Sequence, residues 1–230
     1  VETITEGLDG LRERFAEYYK LGARFAKWRA VITIADGYPT WNCVKANAHA
    51  LARYAALAQE ANIVPIVEPE VLMDGAHDLA RCEAVTLNTL NTLYRALHAH
   101  RIALEGTLLK PNMVLSGKDC PVQAGVAEVA AATVRTLRAT VPAAVPGIVF
   151  LSGGQTAVRA TEHLNAMNQM GPHPWELSFS YGRALQDPPL NTWKGVAANV
   201  PAAQKAFFQR SKLNGAARYG KYSAAMESAA

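Results

Sequence analysis

The stretch LEGTLLKPNMV, residues 104–114, sets Lys110 inside an apolar run: six of the ten residues around it are Leu, Met, Val or Pro. A lysine carried there by a strand must leave the core, find an acid or lose its proton. Desolvation and a second cation nearby both favour the uncharged form of a lysine. An uncharged amine attacks a carbonyl carbon and forms a Schiff base. Lys27, in FAKWR, is a candidate for that second cation. A plainer reading stands beside this one, in which Lys110 lays its methylenes along the apolar surface and carries its charge into water.

Glu68 and Glu70, in VEPE, end another apolar run. Alternation along a strand puts both on one side. Forming a Schiff base expels water from a carbinolamine, and that step needs a proton donor beside the carbon. Two neighbouring carboxylates can divide such work, one acidic and one charged; they can equally be two solvated acids at a strand end. FLSGGQ follows a third run, with Ser152, Gly153 and Gly154 ahead of a helical pattern. Glycines let backbone N–H groups approach an anion, and a helix N-terminus adds positive potential. SYGR closes a fourth run and supplies Gly182 and the guanidinium of Arg183. Each turn alone can be only a turn. At the ends of consecutive strands, they point together to a phosphate site.

The remaining reactive side chains form no constellation. His98 and His100 flank a helix end, His77 is near a turn, and His49, His163 and His173 are isolated, which suits surface or capping roles. No histidine–carboxylate cluster suggests a metal site. Trp28, Trp41, Trp175 and Trp193 read as core and loop-packing residues. Cys43, Cys82 and Cys120 have neither metal nor disulfide spacing, which fits a reducing cytoplasm.

These residues need elements to hold them. Five β-favouring runs cover residues 24–34, 63–68, 103–114, 147–153 and 177–182. Helical patterns lie between them. Val44, Ala48, Leu51, Ala55 and Ala58 share a helix face, as do Leu90, Leu93 and Leu97, and then Val126, Val129, Thr133 and Leu137. Before residue 24 there is only a helix with Leu8, Leu11 and Phe15 on one side. Asp74–Gly75 marks a turn, and the pairs Pro142/Pro146, Pro172/Pro174 and Pro188/Pro189 read as loops. Alternating strands and helices imply a parallel sheet with crossover helices. Lys27, Glu68, Lys110 and Ser152 recur about every forty residues, and Arg183 follows sooner. This rhythm fits a (β/α)8 TIM barrel whose active site lies at the C-terminal ends of the strands. About five of the eight β/α units are visible, in one partial domain over residues 1–230.

The bulk composition is that of a globular chain: 230 residues, 50% hydrophobic, 18% charged, with net charge +4. Basic residues are scattered, so nucleic-acid binding is not indicated. The mild positive excess suits an anionic small substrate. No apolar run is long enough for a membrane span, and the first residues do not resemble a signal peptide.

Taken in order, GLDGL, FAKWR, ANAHALARYA, IVPIVEPEVL, DGAHDLARC, LEGTLLKPNMV, FLSGGQ, LNAMNQ and SYGRALQ resemble class I fructose-bisphosphate aldolase from about Glu2 to Tyr222. The resemblance implies the (β/α)8 fold, no metal and no cofactor. It implies reversible cleavage of fructose 1,6-bisphosphate into dihydroxyacetone phosphate and glyceraldehyde 3-phosphate in glycolysis. By that resemblance Lys110 is the Schiff-base lysine, Glu68 serves the carbinolamine steps with Glu70 beside it, and Lys27 stands next to the nucleophile. Arg29 follows Lys27 on the same strand. Ser152, Gly153, Gly154, Ser180, Gly182 and Arg183 match positions that hold a substrate phosphate. The expected partners are a phosphorylated sugar and further copies of the chain, as a cytoplasmic homotetramer, with no nucleic acid and no membrane.

The departures are as informative. The family's N-terminal portion, with three barrel strands, an aspartate acting on the C4 hydroxyl and another active-site lysine, has no counterpart here. Its C-terminal tyrosine tail is not recognisable in SAAMESAA. After SGGQ the family often has acidic residues where this sequence reads TAVRA. The segment therefore resembles barrel strands four to eight. Two other readings remain beside the enzyme: an inactive fragment or aldolase-like binding or scaffold protein, and a transaldolase-like Schiff-base barrel. A half-open barrel exposes sheet edges, so the 230-residue segment alone is expected to fold poorly and lack normal turnover; a cooperative thermal transition with full aldol cleavage would overturn this.

Overall fold

Along the strand Phe25–Ile32 (β1), Trp28, Ala30 and Ile32 are buried while Lys27 and Arg29, on the alternate positions, are exposed. This is the two-residue alternation of a strand with one face against a core. The computed structural model describes residues 1–228. After a first helix, Leu11–Lys20 (α1), β1 leads through Trp41–Glu60 (α2) to Val64–Val71 (β2), then through Leu79–Ala99 (α3) to Leu108–Leu109 (β3). Val126–Thr140 (α4), Gly147–Phe150 (β4), Ala157–Gln169 (α5) and Glu176–Phe179 (β5) continue the alternation, and Arg183–Trp193 (α6) and Val200–Arg218 (α7) complete it.

The five strands form one parallel sheet in chain order, β1-β2-β3-β4-β5. Parallel crossovers are right-handed, so an order that never reverses puts the crossover helices on the same face. The core agrees: Trp28, Ala30, Val67, Leu109, Ile148 and Leu177 from the five strands share one cluster with Leu51, Leu93, Val134 and Leu164 of the helices. The opposite sheet face is left for Lys27, Arg29, Glu68, Glu70 and, by the same parity, Lys110. Side-chain caps start the helices: Thr40 accepts from Cys43 N–H, Asp78 from Arg81 and Thr156 from Arg159.

Three expectations need correction. The run 103–114 is not a continuous strand. Only Leu108 and Leu109 are strand, and Lys110 lies one residue beyond, its N–H donating to Val67 C=O at 2.8 Å. Pro111 has no N–H to continue the ladder. Asn112 takes over: its Oδ1 accepts from Val71 N–H at 3.0 Å, and its Nδ2 donates to Thr86 Oγ1 and to Met113 C=O. Pro188 and Pro189 are inside α6, not in a loop. Packing of α6 along α7 outweighs the local cost of two missing donors. Trp41 and Trp193 are exposed, whereas Trp28 and Trp175 are core residues as expected.

Asn112→Ala removes the buried acceptor of Val71 N–H and is expected to cost about 3 kcal/mol. Urea denaturation of wild type and variant measures this; a loss under about 1 kcal/mol would show that Asn112 does not hold this segment.

Candidate functional site

β1 and β2 pair in register, with Lys27 opposite Ile66, Arg29 opposite Glu68 and Val31 opposite Glu70. Long side chains on β1 therefore reach two residues further along β2. Lys27 Nζ lies 2.7 Å from Glu68 Oε2, and Arg29 Nε pairs with Glu70 Oε2. From the other side, Val67 pairs with Leu109, which brings Lys110 level with Glu68. Lys110 Nζ lies 3.2 Å from Glu68 Oε1. One carboxylate thus sits between two ammonium groups, with Glu68 at 3% and Lys110 at 8% exposure.

Of the three fates open to Lys110, the structure selects the acid. The second cation is present, but the sequence did not reveal that Glu68 stands between Lys27 and Lys110. Lys27 approaches Oε2 without completing a well-directed hydrogen bond. Oε2 therefore keeps accepting capacity while remaining in the field of a cation. Burial makes this arrangement consequential, because charge interactions strengthen as water is excluded. The hydrogen bond that Arg29 donates to Glu70 raises its guanidinium further above its already high value.

The glycine turn adjoins this ion cluster. Leu151 N–H donates to Pro111 C=O, tying the end of β4 to the residue after Lys110. A Cβ at Gly153 would stand 2.5 Å from Met73 Cε and 3.4 Å from Glu70 Oε1. Gly154 has φ +68°, and a Cβ there would meet Met73 Sδ at 2.1 Å and Lys118 Cε at 2.7 Å. The left-handed backbone at Gly154 favours glycine, and a side chain at Gly153 would have to displace Met73 and Leu151. Ser180 N–H extends the β4–β5 pairing to Phe150 C=O, and buried Ser152 Oγ accepts from Ala184 N–H at 3.4 Å. Ser152, Gly153, Gly154, Ser180, Gly182 and Arg183 are thus carried by the two segments after β4 and β5, joined at the start of α6. A Cβ at Gly182 would point into open space, and Arg183 is exposed at the first position of that helix.

Sequence reasoning missed Lys118 and Asp74 as neighbours of this turn. Lys118 Nζ donates to Asp74 Oδ1 at 2.9 Å. That hydrogen bond holds the Asp74 carboxyl below the usual range, and Arg183 adds to the lowering from nearby. No local motif signalled this, since the two residues come from different loops. Histidine placement also needs correction. The rings of His49 and His100 pack edge to face at 5.1 Å, and His163 is buried rather than superficial. Among the described residues no group of three or more His, Cys, Asp or Glu could hold a metal. An apolar cavity of about 630 Å³ lies between α6 and α7 and is lined mainly by Leu190, Trp193, Val200 and Phe207, without titratable groups. It is therefore not the candidate site, which rests on the ion cluster and the glycine turn.

The fold and site together define an α/β protein with a parallel sheet and a buried lysine–carboxylate cluster at its strand ends. A family model described as fructose-bisphosphate aldolase class-I matches residues 1–230. The chain belongs to the class I fructose-bisphosphate aldolase family. It is 57% identical over 222 residues to a probable fructose-bisphosphate aldolase class 1 of Xanthomonas axonopodis pv. citri, covering 96% of this chain and 66% of that protein. It is 56% identical over 223 residues to the fructose-bisphosphate aldolase of Dictyostelium discoideum, covering 96% and 62%. A solved structure of fructose-bisphosphate aldolase from Plasmodium falciparum, in complex with TRAP and a small-molecule inhibitor, matches with TM-score 0.95 and 52% identity. That match covers 96% of this chain and 65% of the solved one. The chain thus spans just under two thirds of the length of these relatives.

Replacing Glu68 by Gln leaves Lys110 buried without its counter-charge. The variant is expected to lose about 3 kcal/mol of stability, and denaturant unfolding against wild type checks this. An unchanged midpoint would show that the carboxylate does not offset the buried ammonium.

Proposed function

We propose that this chain supplies the Schiff-base half of a class I fructose-bisphosphate aldolase. In this reading it contributes one partial domain, residues 1–230, with five of the eight β/α units of a TIM barrel. The unreversed strand order supports that, because parallel units wound in one direction curl towards closure. The substrate is a phosphorylated ketose, and the reaction is the reversible, metal-independent cleavage of fructose 1,6-bisphosphate to dihydroxyacetone phosphate and glyceraldehyde 3-phosphate in glycolysis. Family membership extends the reading to a cytoplasmic homotetramer.

The single observation that carries the reading is Lys110 Nζ lying 3.2 Å from Glu68 in a buried cluster beside a glycine turn. Glu68 takes a proton from the Lys110 ammonium. The freed amine adds to the ketone carbon, and a proton passes from its nitrogen to the carbonyl oxygen to give the carbinolamine. Glu68 then returns its proton to the hydroxyl, which leaves as water, and the iminium remains on Lys110. The proton count closes, and Glu68 ends as the carboxylate it began as. Lys27 keeps a positive charge on the far oxygen of Glu68, which favours return of the proton. Glu70 fixes Arg29 at the edge of the same cluster. The backbone of Ser152–Gly154, with Ser180, Gly182 and Arg183, takes the phosphate, leaving the ketone carbon within reach of Lys110.

The test is covalent trapping. Borohydride reduction in the presence of dihydroxyacetone phosphate is expected to fix one adduct on Lys110, located by peptide mass spectrometry and lost in Lys110→Ala. An adduct on another lysine, or none, would overturn the assignment.

A further inference from the structure

The turn after β4 carries three consecutive backbone N–H groups, those of Ser152, Gly153 and Gly154, that donate to no backbone acceptor among the described residues. The turn is closed by Gln155 N–H donating to Ser152 C=O at 3.0 Å, with Gly154 at φ +68°. Successive uncommitted amides make an anion-binding concavity. Their aim depends on the shape of the turn, because a main-chain donor has no rotamer of its own to adjust.

Met73 sets that shape. It lies two residues beyond β2 and is 6% exposed. Its Cε stands 2.5 Å from the place a Cβ would take at Gly153, and its Sδ and Cγ crowd the corresponding place at Gly154. One side chain therefore fills the space beside both glycines. A thioether is pliable and suits an irregular gap, but this one is seated on a fixed base. Met73 C=O accepts from Lys118 N–H at 2.8 Å. On either side of that bond, Gly117 N–H donates to His77 C=O at 2.8 Å and Asp119 N–H to Gly75 C=O at 3.0 Å. A Cβ at Gly117 would collide with Gly75 C=O, so a side chain there would push the two loops apart. The loops after β2 and β3 thus hold Met73 against the turn after β4. β2 also carries Glu68 and Glu70, so the same wedge fixes the turn relative to the carboxylates. Donors held in place before a ligand arrives spend no binding energy on reorganisation.

We propose that Met73 is a positioning residue for the substrate phosphate: by filling the space beside Gly153 and Gly154 it holds the three amides in the geometry that takes the anion. The inference rests on the reading of this turn as the phosphate cradle and gives Met73 no contact with substrate. The intact protein is compared with Met73→Ala and with Met73→Leu, which nearly conserves the volume. Borohydride trapping on Lys110 is measured with dihydroxyacetone phosphate and with dihydroxyacetone, which offers the same ketone without the phosphate. Met73→Ala is expected to lose about tenfold of the preference for the phosphorylated ketone, with dihydroxyacetone trapped at close to the wild-type rate and the preference recovered in Met73→Leu. A general loosening of the fold would instead slow both ketones alike. An unchanged preference, an equal loss with both ketones, or no recovery in Met73→Leu would each overturn the inference. If wild type forms no Lys110 adduct with either ketone, it is the Schiff-base reading that fails, and calorimetric titration with inorganic phosphate then decides the role of Met73. Binding about tenfold weaker in Met73→Ala supports it; equal affinity, or no binding to wild type, overturns it.

Discussion

The buried carboxylate of Glu68, held between Lys27 and Lys110, is the constraint on which the rest of the structure depends. A buried carboxylate beside a buried lysine is tolerated only when each charge has its counterpart at close range. That requirement fixes the register of three strands at once. β1 must bring Lys27 two residues short of Glu68, and β3 must end level with it. A shift of one residue in either strand would turn a lysine into the helix-packed face and leave Glu68 without compensation.

The elements around the cluster follow from meeting that requirement while still ending the strands. Pro111 stops the β3 ladder one residue after the lysine, so the main chain can turn away. Asn112 then supplies from its side chain the acceptor that Val71 would otherwise lack. The same region brings the glycine turn close. Met73 and Lys118 occupy the space where side chains at Gly153 and Gly154 would stand. The charged cluster and the turn are thus packed as one unit, joined through β2 and the loop that follows it. Rigidity of this kind suits chemistry in which an amine, a proton carrier and an anion cradle must keep fixed separations.

Much of the fold was legible in the sequence because the signals were periodic. The four strand runs outside 103–114 and the three helix faces appear where apolar spacing placed them. The face shared by Glu68 and Glu70 followed from alternation alone. The failures came where packing overrode local preference. The Leu-rich run around Lys110 has strand composition but carries a proline that ends pairing. The Pro188–Pro189 pair reads as a breaker until α7 supplies a surface for α6. His163 looked isolated in sequence because its partner Gln155 is on the preceding loop and its burial comes from neighbouring elements.

By itself, the sequence determined the order of strands and helices, the residue types able to form a Schiff base and an anion cradle, and their placement at successive strand ends. Those are local properties, set by spacing along one chain. The tertiary structure decided which charges meet. It put Glu68 between two lysines, paired Arg29 with Glu70, set Lys118 over Gly154 and buried His163 against Gln155. Such contacts depend on strand register and on loops far apart in sequence, and electrostatic energy at a few ångströms is governed by distance and burial, which no one-dimensional pattern records.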